Sequence, residues 1–358
     1  MMKPQRKLRI AQVAPLYESV PPKLYGGTER VVSYLTEELV ARGHDVTLYA
    51  SADSVTSADL VACTPRSLRL DETCTSPLVP HLLQLERLLA RAPQYDIIHF
   101  HCEPLQLPWL RHLRTPAVTT MHGRLDLAHL TPLFEEYAEA ALVSISDAQR
   151  RPLSWARWAA TAYNGIPCDM YRASPRHDGY AVFLGRISPE KRPDRAIDIA
   201  RRAGVPLVMA AKVDRVDRDY FDRDIRPLLA QPGVDFIGEV GEADKQALLG
   251  GARALLFPID WPEPFGMVMI EAMACGTPTI AYPHGSVPEV ITDGKSGFIV
   301  SSRAEAAAAL VRAADFDRGE CRRAFEARFT SAHMAQSYVD VYERLIAEDV
   351  QPARALSA

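Results

Sequence analysis

The sequence predicts an α/β protein built from two doubly wound domains. Three observations predict it. Short apolar runs alternate with amphipathic stretches along the chain, the alternation comes in two separate series, and 358 residues exceed what one hydrophobic core usually serves. A buried parallel strand reads as a continuous apolar run because helices cover both its faces. Strand–helix alternation of this kind implies parallel sheets with right-handed crossovers.

In the first series LRIAQVAPL is a strand, followed by a Pro/Gly-rich loop over residues 21–27. TERVVSYLTEELVARG is then an amphipathic helix. Thr28 is its N-cap, Val31, Val32, Leu35 and Leu39 its stripe, and Gly43 its end. HDVTLYAS, YDIIHFH, PAVTTMH and AALVSIS are further strands, and Ser146 and Gln149 form a capping box. The second series begins near Tyr180. Its strands are YAVFLGR, PLVMAAK, VDFIGEV, RALLFPI, TPTIAY and SGFIV. Its helices are PDRAIDIARRAG, DKQALLGGA, PFGMVMIEAMACG and the short SVPEVITDG. Residues 167–179 mix Pro, Ser, Asp and Gly and read as the linker, which sets domains at 1–170 and 171–330.

Composition excludes several classes. The net charge is −4, with 17 basic and 17 acidic residues up to Cys168 and 24 against 28 beyond it, so no general attraction to nucleic acid is expected. Six scattered cysteines form no CxxC pair and no zinc spacing, as in a reduced, cytoplasmic protein. Residues 1–9 are basic and short, and the apolar run after them is too short for a secretory signal. No run approaches the ~20 apolar residues of a membrane span. Trp109, Trp155 and Trp158 lie beside arginines; core packing is the preferred reading over contact with a lipid surface.

The most informative string is EPFGMVMIEAMACGTP. Glu263 sits in a Trp/Pro-rich loop, eight residues before Glu271 on the helix that follows. Gly266 permits close backbone approach, and the N–H groups near Phe265, Gly266 and Met267 would point from the helix start toward an anion or a polar sugar. Glu271, about one turn in, is placed to reach a vicinal diol. A lone pair of acids at this spacing would mean nothing; the whole string narrows it.

This string resembles glycosyltransferase family 4, retaining enzymes of the GT-B fold. The resemblance runs over nearly the whole chain. It implies two Rossmann-like domains facing a cleft, with the acceptor on the first and the nucleotide sugar on the second. It implies that Glu263 contacts the donor sugar and Glu271 the ribose. LGRISPEK places Arg186 and Lys191 after a strand, where two cations can neutralise a diphosphate; the family uses such a pair on the leaving group. PPKLYGGTER puts Gly26 and Gly27 before a helix, similar to the family's glycine loop facing the donor. TTMHGRLD puts His122 at a strand end, where similar members keep a His beside the transferred sugar. PHGSVPEVITDG is similar to the family's loop before a Pro-Glu helix. There the amides around Gly285 and Ser286 hold the diphosphate, and Ser286 and Glu289 read as N-cap and capping-box acid. The final helix, with Met334, Tyr338, Val341 and Leu345 at helical spacing, is expected over 331–350, crossing back to the first domain.

Some residues stay open. His99 and His101 read as strand-end packing or as acceptor contacts. MAAKVD departs from the family's Gly-x-Gly turn, so Lys212 is either a third cation at the diphosphate or a solvated side chain. The Asp-x-Asp strings at Asp217, Asp222 and Asp315 lie in charged, helix-like segments, so no catalytic metal is expected. The expected reaction is a metal-independent, retaining transfer from a nucleoside-diphosphate sugar to a hydroxyl acceptor, with a UDP-sugar as the default donor and no bound cofactor. The alternatives are a sugar-nucleotide epimerase or phosphorylase on the same fold, and a nucleotide-sugar-binding protein without turnover. A dehydrogenase would need the G-x-G-x-x-G fingerprint, which the Gly-Gly turn and Asp53 do not make.

Overall fold

The computed structural model describes residues 6–23 and 26–355, so residues 1–5 of the basic start and Leu24 and Tyr25 of the glycine loop lie outside the described residues. The chain divides into two compact units. Unit 1 holds 1–145, 150–165 and 331–358; unit 2 holds 146–149 and 166–330. The segment 167–179 lies wholly in unit 2.

Among the described residues, unit 1 carries a seven-stranded parallel sheet. Its strands are β1 (Arg9–Val13), β2 (Asp45–Ser51), β3 (Asp59–Thr64), β4 (Ile97–Phe100), β5 (Ala117–Met121), β6 (Leu142–Ser144) and β7 (Trp158–Thr161), in the order β3-β2-β1-β4-β5-β6-β7. The order reverses between β1 and β4. At such a switch point the connections on either side leave in opposite directions and open a crevice at the carboxyl ends of the strands. β1 and β4 are buried almost throughout, as a central strand must be. The helix Gly27–Ala41 follows β1 and ends where Gly43 takes φ +87 and its N–H donates to Val40 O at 2.8 Å. The helix Ser331–Ala355 completes unit 1, with Met334, Tyr338, Val341, Tyr342 and Leu345 all buried.

Unit 2 carries a six-stranded parallel sheet of β8 (Ala181–Arg186), β9 (Leu207–Lys212), β10 (Val234–Gly238), β11 (Ala254–Phe257), β12 (Thr279–Ala281) and β13 (Gly297–Ile299), in the order β10-β9-β8-β11-β12-β13. The switch point lies between β8 and β11. The helices Pro193–Ala203 and Arg303–Arg312 pack on it through Ala196, Ile197, Ile199, Ala200, Ala306, Ala309 and Leu310, in one core with Phe183, Met209 and Leu256. No helix among the described residues is long and apolar enough to cross a membrane. The tryptophan reading needs one correction: Trp155 is exposed, while Trp109 and Trp158 are half-buried against apolar clusters.

Candidate active site

In unit 2 the loops after β8 and β11, the two strands at the switch point, carry most of the predicted residues. β8 ends on Arg186, and a short 3-10 turn, Pro189–Lys191, delivers Lys191. The Asp260 N–H donates to Glu190 O at 2.8 Å, and the Asp260 carboxylate takes Arg192 at 2.8 Å and Arg195 at 2.7 Å, so the two loops are tied together. The Lys191 ammonium bonds Glu263 Oε2. Trp261 Nε1 donates to the same oxygen at 2.9 Å. The ammonium also lies 5.1 Å from the Trp261 ring centroid, within cation–π range.

The backbone after Glu263 is held from behind. The Ser286 N–H donates to Glu263 O at 3.0 Å, and Ser286 Oγ donates to Phe265 O at 2.7 Å. Gly285 has φ +56, and a Cβ there would overlap the Glu263 amide nitrogen and carbonyl oxygen. Gly266 starts the helix Met267–Ala274 at φ +79, a left-handed conformation that favours glycine. Glu271 lies one turn along, only 2% exposed, and bonds Lys245 at 2.9 Å; Lys245 also reaches Glu242 at 3.3 Å. Arg186 pairs with Glu190 at 3.4 Å and Asp214 at 3.5 Å, and Lys212 also takes Asp214, at 3.0 Å. Burial pushes the Asp214 carboxyl up, but Lys212 and Arg186 together outweigh it and hold it below the usual range. Lys212 is thus neither solvated alone nor apart from Arg186; the two share a counter-ion.

In unit 1 the predicted residues sit at the carboxyl edge of the sheet. Gly26 precedes the helix after β1 in an extended conformation, and a Cβ there would come 2.7 Å from Pro22 Cβ. Gly27 opens the helix with open space beside it. His122 follows β5, two strands away from β1 in the sheet order. Its N–H and that of Gly123 each donate to Glu103 Oε1 at 2.6 Å, and its Nε2 lies 2.9 Å from His101 Nδ1. Burial pushes the His122 imidazole down to about 3, so it is neutral near pH 7.

The structure therefore gathers Lys191, Glu263, Phe265, Gly266, Met267, Gly285 and Ser286 around one loop. Arg186 stands at the end of β8, Glu271 lies within the helix, and Gly26, Gly27 and His122 lie in unit 1, after β1 and after β5. A depression of about 640 Å³ beside this loop, lined by Pro189, Glu190, Arg192, Asp194, Tyr220, Asp224 and Asp260, holds none of the predicted residues. No cluster with metal-ligand composition occurs among the described residues.

Two capping readings are corrected. Thr28 is not the N-cap of its helix; Gly26 is, without a side-chain bond. Ser286 does stand at the N-cap position of its helix, but its hydroxyl makes no cap bond and instead turns to donate to Phe265 O. Glu289 likewise reaches elsewhere: its carboxylate accepts the Asp147 and Ala148 N–H groups, both at 2.7 Å. There it meets the positive end of a helical turn. The Ser146 hydroxyl does accept the Gln149 N–H, at 3.0 Å.

Four contributors escaped the sequence reading: Trp261, Asp214, Lys245 and Glu103. Trp261 had a signal, its place two residues before Glu263. Glu103, beside HFHC, is half-buried, and burial raises its carboxyl to about 7 against the two N–H bonds that favour the charged form. The folded state then binds the Glu103 proton more tightly than the unfolded chain, whose glutamates titrate near about 4.3. Stability from this group is full below about pH 4 and falls by about 3 kcal/mol as pH rises to about 7. Denaturant melts of Glu103→Gln should lack that slope; an unchanged slope would refute the assignment.

Comparison with known proteins bears on the fold and the family. A family model described as Glycosyltransferase Family 4 matches residues 25–167, and one described as Glycosyl transferases group 1 matches 172–328. The chain is 28% identical over 337 residues to a phosphatidyl-myo-inositol mannosyltransferase of Mycobacterium leprae, covering 84% of this chain and 86% of that protein. It is 30% identical over 216 residues to a D-inositol 3-phosphate glycosyltransferase of Mycobacterium avium, covering 56% and 48%. Among solved structures it is similar to AviGT4, a glycosyltransferase of avilamycin A biosynthesis, with a TM-score of 0.75 at 26% identity over 95% of this chain and 98% of that one. Sucrose-phosphate synthase from Thermosynechococcus elongatus shares the fold, with a TM-score of 0.76 at 18% identity over 96% and 100%. Two parallel-sheet α/β units that match GT-B structures, and two family models that between them span most of the sequence, give one conclusion: the chain is a glycosyltransferase and belongs to glycosyltransferase family 4.

Proposed function

We propose that the chain is a retaining glycosyltransferase that moves a hexosyl group from a nucleoside-diphosphate sugar to a hydroxyl acceptor, without a metal ion. The observation that carries this is the convergence of Lys191, Trp261 and the Gly285–Ser286 turn on Glu263. An ammonium has three N–H donors. Glu263 uses one, which orients Lys191 and leaves the others for phosphate oxygens. Arg186 adds a guanidinium and the Gly285 N–H a dipole; the Ser286 N–H, expected to join them, is committed to Glu263 O instead. As the bond from sugar to diphosphate breaks, its electron pair passes to a phosphate oxygen. Fixed cations stabilise that charge without reorganising. Positive charge grows on the sugar ring, where Glu263 is the nearby carboxylate and His122 is assigned a hydroxyl contact. The acceptor oxygen attacks the face the diphosphate leaves, and its proton goes to the departing phosphate oxygen.

A UDP-sugar is the first donor to test. A nucleoside-diphosphate mannose is the second, because relatives at 26–28% identity are mannosyltransferases. Inositol-type polyols are the first acceptors, because the mycobacterial relatives carry inositol compounds in their names. Cytoplasmic location is part of this proposal and rests on the six cysteines, none of which is in a disulfide.

The two glutamates separate in a titration. Glu271→Gln should weaken the free nucleoside diphosphate about 10-fold, the loss of one hydrogen bond to a charged group. Glu263→Gln should leave that affinity within about 2-fold and lower transfer instead. Calorimetry showing the reverse pattern would overturn both assignments.

A further inference from the structure

His99 and His101 lie on and just after β4, pointing into no solvent: they are 0% and 1% exposed. They belong to a run of six hydrogen bonds that starts at His122 and ends on the C-terminal helix, all within unit 1. Gln12 fixes the sense of the run. Its Nε2 donates to Tyr342 Oη at 3.1 Å, so its Oε1, 2.7 Å from His101 Nε2, is the acceptor there. His101 thus carries its proton on Nε2, and in the neutral ring Nδ1 is bare. His122 Nε2, 2.9 Å from that bare nitrogen, must be the donor.

The other end obeys the same logic. Tyr342 accepts from Gln12, so its own hydroxyl donates to His99 Nδ1 at 2.7 Å. His99 Nε2 then donates to Thr120 Oγ1 at 2.7 Å, and Thr120 donates to Tyr338 Oη at 3.0 Å. Each proton is used once, and all six bonds point away from His122. Burial holds His99 and His101 well below the ordinary histidine range, so all three imidazoles are neutral and each has one bare nitrogen.

We infer that this run locks the tautomer of His122: Tyr342, Gln12 and His101 hold it as the Nε2–H form and leave Nδ1 as an acceptor for a hydroxyl of the transferred sugar. The sugar contact rests on the proposed function; the tautomer rests only on unit 1. Gln12, His101 and Tyr342 are positioning residues. The binding consequence is selective: a bare Nδ1 takes a sugar hydroxyl as donor and rejects a group that can only accept. The C-terminal helix, more than 200 residues later in sequence, thereby sets the chemistry of a side chain after β5.

Nitrogen-15 NMR of the full chain labelled at histidine, with His122 assigned by its loss in His122→Ala, reads the tautomer directly. The wild-type spectrum at pH 7.5 should show His122 protonated at Nε2 and bare at Nδ1. Tyr342→Phe and Gln12→Met each cut the run, and should give mixed His122 tautomers and a kcat about 5–10-fold lower, with the donor KM unchanged. A wild-type His122 protonated at Nδ1 or at both nitrogens would overturn the lock, and so would an unaltered His122 signal in both variants. If neither variant folds, the wild-type spectrum alone decides. The expected spectrum together with full transfer by His122→Ala would support the lock and refute the sugar contact.

Discussion

Lys191→Met should lower transfer about 100- to 1,000-fold and, separately, cost about 3 kcal/mol of stability. The first effect is the loss of a fixed cation where the diphosphate gathers charge. The second follows from what surrounds the ammonium. The Lys191 and Glu263 side chains are 14% and 11% exposed, and Trp261 Nε1 is the other donor on Glu263 Oε2. Removing Lys191 leaves a mostly buried carboxylate with one indole N–H. The double variant Lys191→Met with Glu263→Gln removes that uncompensated charge. It should recover most of the stability in a urea melt and none of the activity. If the double variant transfers as fast as Glu263→Gln alone, Lys191 acts only as a counter-ion for Glu263 and not on the diphosphate.

Gly285→Ala should be nearly as damaging by a different route. Gly285 is left-handed at φ +56, and the added methyl would overlap backbone atoms of Glu263, which cannot swing aside as a flexible side chain could. Strain and overlap together cost on the order of 3–5 kcal/mol. Relief would require the loop carrying Glu263 to shift, so activity should fall with stability. Gly294 is the control. It is also left-handed, at φ +74, but has open space around it, so Gly294→Ala should cost only about 1 kcal/mol and leave transfer intact. Equal melting midpoints for the two variants would show that the Gly285 turn does not brace Glu263.

The inner strands of both sheets were legible because each is buried enough to leave an apolar run; β10 and β13, the edges of the six-stranded sheet, were legible although only partly buried. β3 and β7 were not. They are the two edges of the seven-stranded sheet, DLVACT and WAAT, and both are largely half-exposed. An edge strand has a neighbour on one side only and needs no continuous apolar run. Local chemistry was legible around Glu263, where acids, glycine and prolines fall within one string. The roles of Ser286 and Glu289 were not: as a local pattern they spell a capping box, and only the fold brings Phe265 O and the Asp147 amide to them. The same holds for His99 and His101. Their partners Tyr342 and Gln12 stand 243 and 89 residues away, beyond any periodicity.

Transfer itself is the direct test of the central claim. The protein would be incubated in excess EDTA with UDP-, GDP- and ADP-sugars, each with and without polyol acceptors, and the sugar and nucleotide products followed by proton NMR. The account predicts that one donor releases its nucleoside diphosphate only when an acceptor is present, and that the new glycoside keeps the anomeric configuration of the donor. An isomerised nucleotide sugar, a sugar phosphate, an inverted glycoside, or activity that returns only with Mn²⁺ or Mg²⁺ would contradict it.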